Sequence, residues 1–192
     1  GGTGDDFLFG GATAADLRDV VYGGDGHDSI DGGYGNDELN GGNDNDTVSG
    51  GIGADTLIGN DGNDLLAGMG GGDLLYGNGG NDTLNGGFGY DRLNGGAGAD
   101  SFFHQGVADH GSDWVQDYSA AEGDVLSVGI AGATASQFQV NFAVTPGAGS
   151  AAVAEAFIIY KPTGQILWAL VDGGDDSSIN LRIAGQTFDL LA

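Results

Sequence analysis

Between residues 1 and 103 single apolar side chains recur at nearly constant spacing, separated by runs of glycine, asparagine and aspartate. Read in nines, this segment divides into eleven units, from GGTGDDFLF at 1 to GGAGADSFF at 95. The eighth place of each unit is apolar: Leu8, Val21, Ile30, Leu39, Val48, Leu57, Leu66, Leu75, Leu84, Leu93 and Phe102. Places seven to nine alternate around that residue, which is the period-two signal of a short strand. Places one to six are turn material, where glycine permits positive φ and close approach of backbone. Each unit therefore predicts a turn followed by a three-residue strand. Two units close one coil, and coils stack at the strand spacing of a sheet, about 4.8 Å. The expected result is two parallel sheets facing one another, with the eighth-place side chains between them.

The sixth place holds an aspartate in every unit: Asp6, Asp19, Asp28, Asp37, Asp46, Asp55, Asp64, Asp73, Asp82, Asp91 and Asp100. Ten units are nonapeptides, while the second, GGATAADLRDVVY, has 13 residues. Four extra loop residues put Asp19 at its sixth place and Val21 at its eighth; a rival alignment puts Ala15 at the sixth. One apolar side chain per unit makes a thin core against the conformational entropy of ordering so many residues. Stacked aspartates also repel one another. Such repeats should not fold unaided.

Charge identifies the missing component. The chain carries 28 acids, four bases and a formal net charge of −24. Residues 1–103 hold 18 acids and two bases, a charge of −16 that eight divalent ions would neutralise. Nucleic acid and anionic membrane both need basic surface, so neither is a partner. The cation would be held by carboxylates and by carbonyls of the glycine turns. A donor set of oxygen alone selects Ca²⁺ ahead of Mg²⁺ or Zn²⁺.

These units match G-G-x-G-x-D-x-U-x, and the segment resembles the repeats-in-toxin (RTX) family, a calcium-binding repeat that builds a parallel β-helix. The resemblance implies an all-β fold, a right-handed parallel β-roll with Ca²⁺ between consecutive coils on each edge. Aspartates two units apart would share an ion, and carbonyls of the first four places would complete its shell. On this chain the implied glycine ligands are Gly24, Gly26, Gly33, Gly35, Gly51, Gly53, Gly62, Gly71, Gly80, Gly87, Gly89, Gly96 and Gly98. One edge would hold Asp6, Asp28, Asp46, Asp64, Asp82 and Asp100, and the other Asp19, Asp37, Asp55, Asp73 and Asp91, for up to nine ions. Asp44, Asn60, Met69 and Asn78 depart from the glycine pattern. Asn and Asp tolerate left-handed backbone, and Met tolerates it less well.

Past residue 103 the composition turns apolar and β-branched, so we divide the chain into a roll at 1–103 and a β-rich cap at 104–192. AFIIY at 156–160 and QILWALV at 165–171 flank KPTG, a hairpin pattern. DVLSV at 124–128, FQVNFAV at 138–144, INLRI at 179–183 and TFDLL at 187–191 are further strand candidates. Capping fits the need of a stack to close its end. Asp113 and Asp117 either close a last Ca²⁺ site or are solvated turn acids. Asp172, Asp175 and Asp176 either form another such site or, the favoured reading, a solvated acidic loop. GSDWVQDYSAAEGDVLSV and YKPTGQILWALVDGGDDSSINLRIAG resemble the segments that follow the repeats in serralysin-type proteases and alginate epimerase modules. The terminal Asp189-Leu190-Leu191-Ala192 resembles the end of type I secretion substrates.

The chain has no cysteine, no basic segment ahead of an apolar one, and no apolar run long enough to span a bilayer. Its first residue already lies inside a repeat, which reads as the C-terminal part of a longer protein. His27, His104 and His110 make no H-E-x-x-H, and no G-x-S-x-G or phosphate loop occurs. We expect His27 to be exposed, Trp114 and Trp168 to be core aromatics, and Tyr34, Phe88 and Tyr90 to sit on the turns. The expected function is a non-catalytic, secreted module. It folds on extracellular Ca²⁺, engages the type I secretion machinery and supports an upstream effector domain. The alternative is a Ca²⁺-dependent binding or adhesion module for a polysaccharide or surface.

Overall fold

The computed structural model describes residues 1–13, 18–107, 110–146, 148–150, 153–173 and 176–192. Most strands of the repeats begin at a seventh place and run into the first places of the next unit, as in Thr47–Ile52 and Thr56–Asp61. Alternate units pair in parallel, so the strands sort into two sheets. One sheet stacks Gly2–Thr3, Val20–Asp25, Glu38–Asn43, Thr56–Asp61, Leu74–Gly79 and Arg92–Ala97. The other stacks Phe7–Gly11, Ser29–Gly33, Thr47–Ile52, Leu65–Gly71, Thr83–Asn85 and Ser101–His104. The register joins equivalent places, Val48 to Leu66 and Leu57 to Leu75. This is a parallel β-roll, and its strand content makes the protein all-β.

The core is the column of eighth-place residues. Ile30, Leu39, Val48, Leu57, Leu66, Leu75, Leu84, Leu93 and Phe102 are all buried, whereas Leu8 and Val21, at the first coil, are only partly covered. Seventh-place and ninth-place side chains point outward, because successive residues of a strand face opposite sides.

The change of composition near residue 103 interrupts neither sheet. Asp113–Val115 adds to the first sheet beside Arg92 and Leu93, and Val125–Val128 adds to the second beside Ser101–His104. Both continue the repeat's own register. Val115 stacks on Leu93 and Leu126 on Phe102, each fully buried. Gln165–Leu170 and Asn180–Ile183 then supply the last parallel rungs. From there both sheets turn antiparallel, through Glu155–Tyr160 and Phe138–Ala143 on one and Gln186–Asp189 on the other. The hairpin expected around KPTG is present. Trp168 is fully buried, as expected of a core aromatic. Trp114 differs, being half-buried on the outer face with its ring edge against Phe157 at 6.3 Å.

Candidate metal centre

The sixth-place aspartates form two columns, one along each edge of the roll. Within a column the backbone N–H of each aspartate donates to Oδ1 of the aspartate in the next coil. Asp28 to Asp46, Asp46 to Asp64, Asp64 to Asp82 and Asp82 to Asp100 follow one edge, all at 2.8 Å. Asp37 to Asp55, Asp55 to Asp73 and Asp73 to Asp91 follow the other, at 2.8–2.9 Å. Asp6 and Asp19 begin the columns by donating to Asp28 and Asp37, both at 2.8 Å. The 13-residue unit thus places Asp19, not Ala15, in register; Ala15 itself lies outside the described residues.

One carboxylate oxygen of each pair is spent in this way. The other, Oδ2 of Asp28, Asp46, Asp55, Asp64, Asp73, Asp82, Asp91 and Asp100, is buried without a hydrogen-bond partner. A buried carboxylate oxygen with nothing to receive is costly. Burial accordingly pushes the acids up, Asp46 and Asp55 to about 6 and Asp73 and Asp82 to about 7, with neighbouring carboxylates adding a lesser repulsion.

Each Oδ2 lies against the first glycine of its own unit. A Cβ on Gly59 would overlap Oδ2 of Asp64, and one on Gly68 would overlap Oδ2 of Asp73. The first place is glycine in all eleven units for want of space. The second and fourth places are constrained differently, by backbone conformation and by facing carbonyls. Gly62 has φ 146°, and its missing side chain makes room for the carbonyl of Asp44 in the preceding coil. Asp44, Asn60, Met69 and Asn78 substitute for glycine yet keep φ between 75° and 82°.

Backbone bonding uses up the third-place and sixth-place carbonyls. Gly62 N–H donates to the Gly79 carbonyl and Leu65 N–H to the Asp46 carbonyl, each at 2.9 Å. Second-place and fourth-place carbonyls instead face the glycines of the next coil, as Gly33 O faces Gly51 and Gly62 O faces Gly80. The structure thus brings the aspartates and turn carbonyls onto the same edges. No group of three or more His, Asp or Glu side chains suited to one ion occurs among the described residues. A cation here would take carboxylates from the column and fill its shell with carbonyls. That all-oxygen set fits calcium, whose coordination is large and tolerant in geometry.

Other acids end the columns. Asp124 lies one rung beyond Asp100 and accepts the Asp100 N–H at 2.8 Å, but its second oxygen accepts Ser119 N–H at 2.8 Å. Asp117 is half-buried and accepts N–H groups of Gly95 and Gly96 at 2.9 and 2.6 Å, so it is not a free turn acid. Asp113 is buried beyond Asp91 with its carboxylate against that of Asp91, and burial, followed by the Asp91 charge, raises it well above the usual carboxylate range. His110 and His104 are buried beside it, their rings 4.8 Å apart, and burial lowers both. Asp172 accepts Ser150 N–H. Asp175 lies outside the described residues.

Sequence reasoning gave the first place only a carbonyl and missed that its glycine leaves the space Oδ2 of the same unit occupies, although the constancy of that glycine was visible. It also missed Asp124, whose 24-residue spacing hides it from a nine-residue period. His27 is exposed as expected, but its ring also faces the backbone of Asn45 at 3.1 Å.

The family model described as the RTX calcium-binding nonapeptide repeat (4 copies) matches residues 1–14, 13–48, 40–75, 49–84 and 76–110. No curated protein gives a significant match. Among solved structures, the AlgE6R3 subunit of the Azotobacter vinelandii mannuronan C5-epimerase is similar at 21% identity. The match covers 76% of this chain and 86% of that one, with a TM-score of 0.28.

Proposed function

Since the chain belongs to the family of RTX calcium-binding nonapeptide repeats and binds calcium through them, we propose that it is a folding module driven by extracellular calcium, which supports the type I export and the stability of an upstream domain. One observation carries this reading: the stack of buried Oδ2 atoms without partners on both edges. Bound calcium supplies the positive charge that these oxygens lack. The rest is done by the chain. The aspartates Asp6 to Asp100 hold the ions pairwise between coils, with carbonyls of the glycine turns completing each shell. Gly24, Gly33, Gly51, Gly87 and Gly96 supply second-place carbonyls, and Gly26, Gly35, Gly53, Gly62, Gly71, Gly80, Gly89 and Gly98 fourth-place ones. Several ions are held, at most nine by the consecutive aspartate pairs of 1–103, five on one edge and four on the other. Asp113 offers a further rung beside Asp91, while Asp117 and Asp124 close their edge with protein hydrogen bonds.

Burying charged oxygens without an ion is unfavourable, so at low calcium the unfolded chain is favoured and can be threaded through an export channel. At extracellular calcium, binding becomes folding free energy because the unfolded chain has no preformed site. The segment 104–192 closes the stack and carries the terminal Asp189-Leu190-Leu191-Ala192 sequence as an export signal. No catalytic role is assigned to this chain. The test is far-ultraviolet circular dichroism in EDTA, followed by a calcium titration to about 10 mM, which brackets extracellular-module affinity. A coil spectrum that converts cooperatively to β supports the reading. A β spectrum already present in EDTA overturns it.

One feature favours a second reading, a calcium-dependent binding module. A groove of about 430 Å³ opens on the outer face beside the cap, lined by Tyr90, Arg92, Trp114, Gln116, Thr145 and Val171. Aromatic faces beside an arginine and an amide suit a saccharide. A glycan array probed in calcium, with no signal above background, would remove this reading.

A further inference from the structure

The fifth place of the repeat is variable and exposed, and on one edge it carries a second ladder. His27 N–H donates to Asp5 Oδ1 at 3.0 Å, and Asn45 N–H to His27 Nδ1 at 3.1 Å. Asn63 N–H then donates to Asn45 Oδ1, Asn81 N–H to Asn63 Oδ1 and Ala99 N–H to Asn81 Oδ1, at 2.7–2.8 Å. On the other edge only one such bond is seen among the described residues, from Ala54 N–H to Asn36 Oδ1 at 2.8 Å. The next fifth places there are Ala54 and Gly72, which have no side-chain acceptor to offer.

Peptide geometry gives this ladder a consequence. The fifth-place N–H and the fourth-place carbonyl belong to one planar unit and point in opposite directions. Tying the Asn63 N–H to the preceding coil aims the Gly62 carbonyl at the following coil, where it meets Gly80. The Asn81 N–H likewise fixes the Gly80 carbonyl toward Gly98. These are the fourth-place carbonyls of the calcium edge. We infer that the fifth-place side chains Asp5, His27, Asn45, Asn63 and Asn81 are positioning residues that pre-aim the fourth-place carbonyls on their edge. The two edges of the roll are therefore inequivalent in calcium binding, and the laddered edge is preorganised. Preorganisation raises affinity by removing an ordering cost that binding would otherwise meet. The inference rests on the calcium-driven folding reading.

The experiment uses the full chain and reads the calcium midpoint of folding. Asn63→Ala with Asn81→Ala removes two acceptors and should raise the midpoint about 1.5-fold, since two hydrogen bonds near 1 kcal/mol each weaken the folding constant about thirtyfold and up to nine ions share that loss. Asn63→Asp with Asn81→Asp keeps the acceptor, as Asp5 already does, and should not show that rise. Ala54→Asn with Gly72→Asn extends the ladder on the other edge and should lower the midpoint. Gly72 accepts the change, since it lies outside the left-handed region and an added Cβ meets only the Tyr90 carbonyl at 3.6 Å. Amide hydrogen exchange of the calcium-saturated protein provides the second readout, with faster exchange in the alanine pair alone at residues 81 and 99, whose N–H groups lose their acceptors, and not at residue 63, which keeps Asn45. If the wild type folds on calcium and the alanine pair, the aspartate pair and the extended ladder all share its midpoint, the inference is overturned while the folding reading stands. A wild type with no calcium transition overturns both.

Discussion

The backbone N–H of Asp46 donates to Oδ1 of Asp64 at 2.8 Å, and Oδ2 of the same carboxylate lies buried against Gly59 with no partner. One half of the side chain therefore serves the fold and the other half serves a cation. Substituting Asp64→Asn separates the two halves. The amide keeps an oxygen for the Asp46 N–H but loses the charge. In EDTA the variant should be more stable than the wild type, because a buried charge has been removed. In calcium it should be less stable, with its folding midpoint raised, because one charged ligand is lost from the set. Urea denaturation with and without calcium checks both signs, and the same sign in both conditions contradicts the division of labour.

pH should act in opposite directions with and without metal. Burial raises Asp46 and Asp55 to about 6 and Asp73 and Asp82 to about 7, from 3.8 in the open chain. Between those values and 3.8 the folded state binds more protons than the unfolded one, so stability rises as pH falls. The metal-free chain should thus fold more readily at pH 4.5 than at pH 7.5, as checked by circular dichroism in EDTA. His104 and His110 oppose this trend, since burial lowers both, but they are two groups against ten raised carboxylates. With calcium present, protons compete for the same oxygens, and the calcium midpoint should climb as pH drops below 7.

Two glycines thirteen positions apart should respond oppositely to alanine. At Gly59 an added Cβ overlaps Oδ2 of Asp64, while at Gly72 it meets only the Tyr90 carbonyl at ordinary contact distance. Gly59→Ala should weaken calcium binding, and Gly72→Ala should leave it unchanged. Calorimetric titration of both variants decides the matter.

Met69 holds φ 77°, a left-handed conformation that costs an ordinary residue about 1–2 kcal/mol. Met69→Gly relieves that strain but loosens the unfolded chain by about 0.5–1 kcal/mol. The net expectation is a gain of about 0.5–1 kcal/mol in calcium, read from urea denaturation. A loss would show that the exposed Met69 side chain contributes packing.

Much of this site could be read from the chain because period carries it. Asp28 through Asp100 keep one spacing, and so do the buried leucines between them. What fails to keep the period could not be read. Asp124 continues its column only because a 24-residue excursion returns to register, which no local pattern announces. Asp117 looks like one more exposed acid until its carboxylate is seen on the Gly95 and Gly96 N–H groups. Trp114 was expected in the core, but its seventh-place position beside Arg92 turns it outward. Trp168 stands opposite Asp113 and faces in.

The closing end of the roll should matter more to stability than the opening end. Leu181 stacks on Leu126, which stacks on Phe102, and all three are fully buried, so the last parallel rung continues the repeat core without a break. Leu8 performs the same office at the first coil but is only partly covered. A cavity is costly only where the surroundings cannot relax into it. Leu181→Ala should therefore cost about 2–5 kcal/mol in saturating calcium, while Leu8→Ala should cost well under 2 kcal/mol. Neither change touches a proposed ligand, so calcium stoichiometry at saturation should hold for both. Leu181→Ala alone should raise the calcium concentration needed for folding, since binding must then offset a weaker core. Urea denaturation in calcium, alongside a circular dichroism titration, measures the two effects. Equal penalties at the two ends would mean that the C-terminal rungs are not what seals the stack.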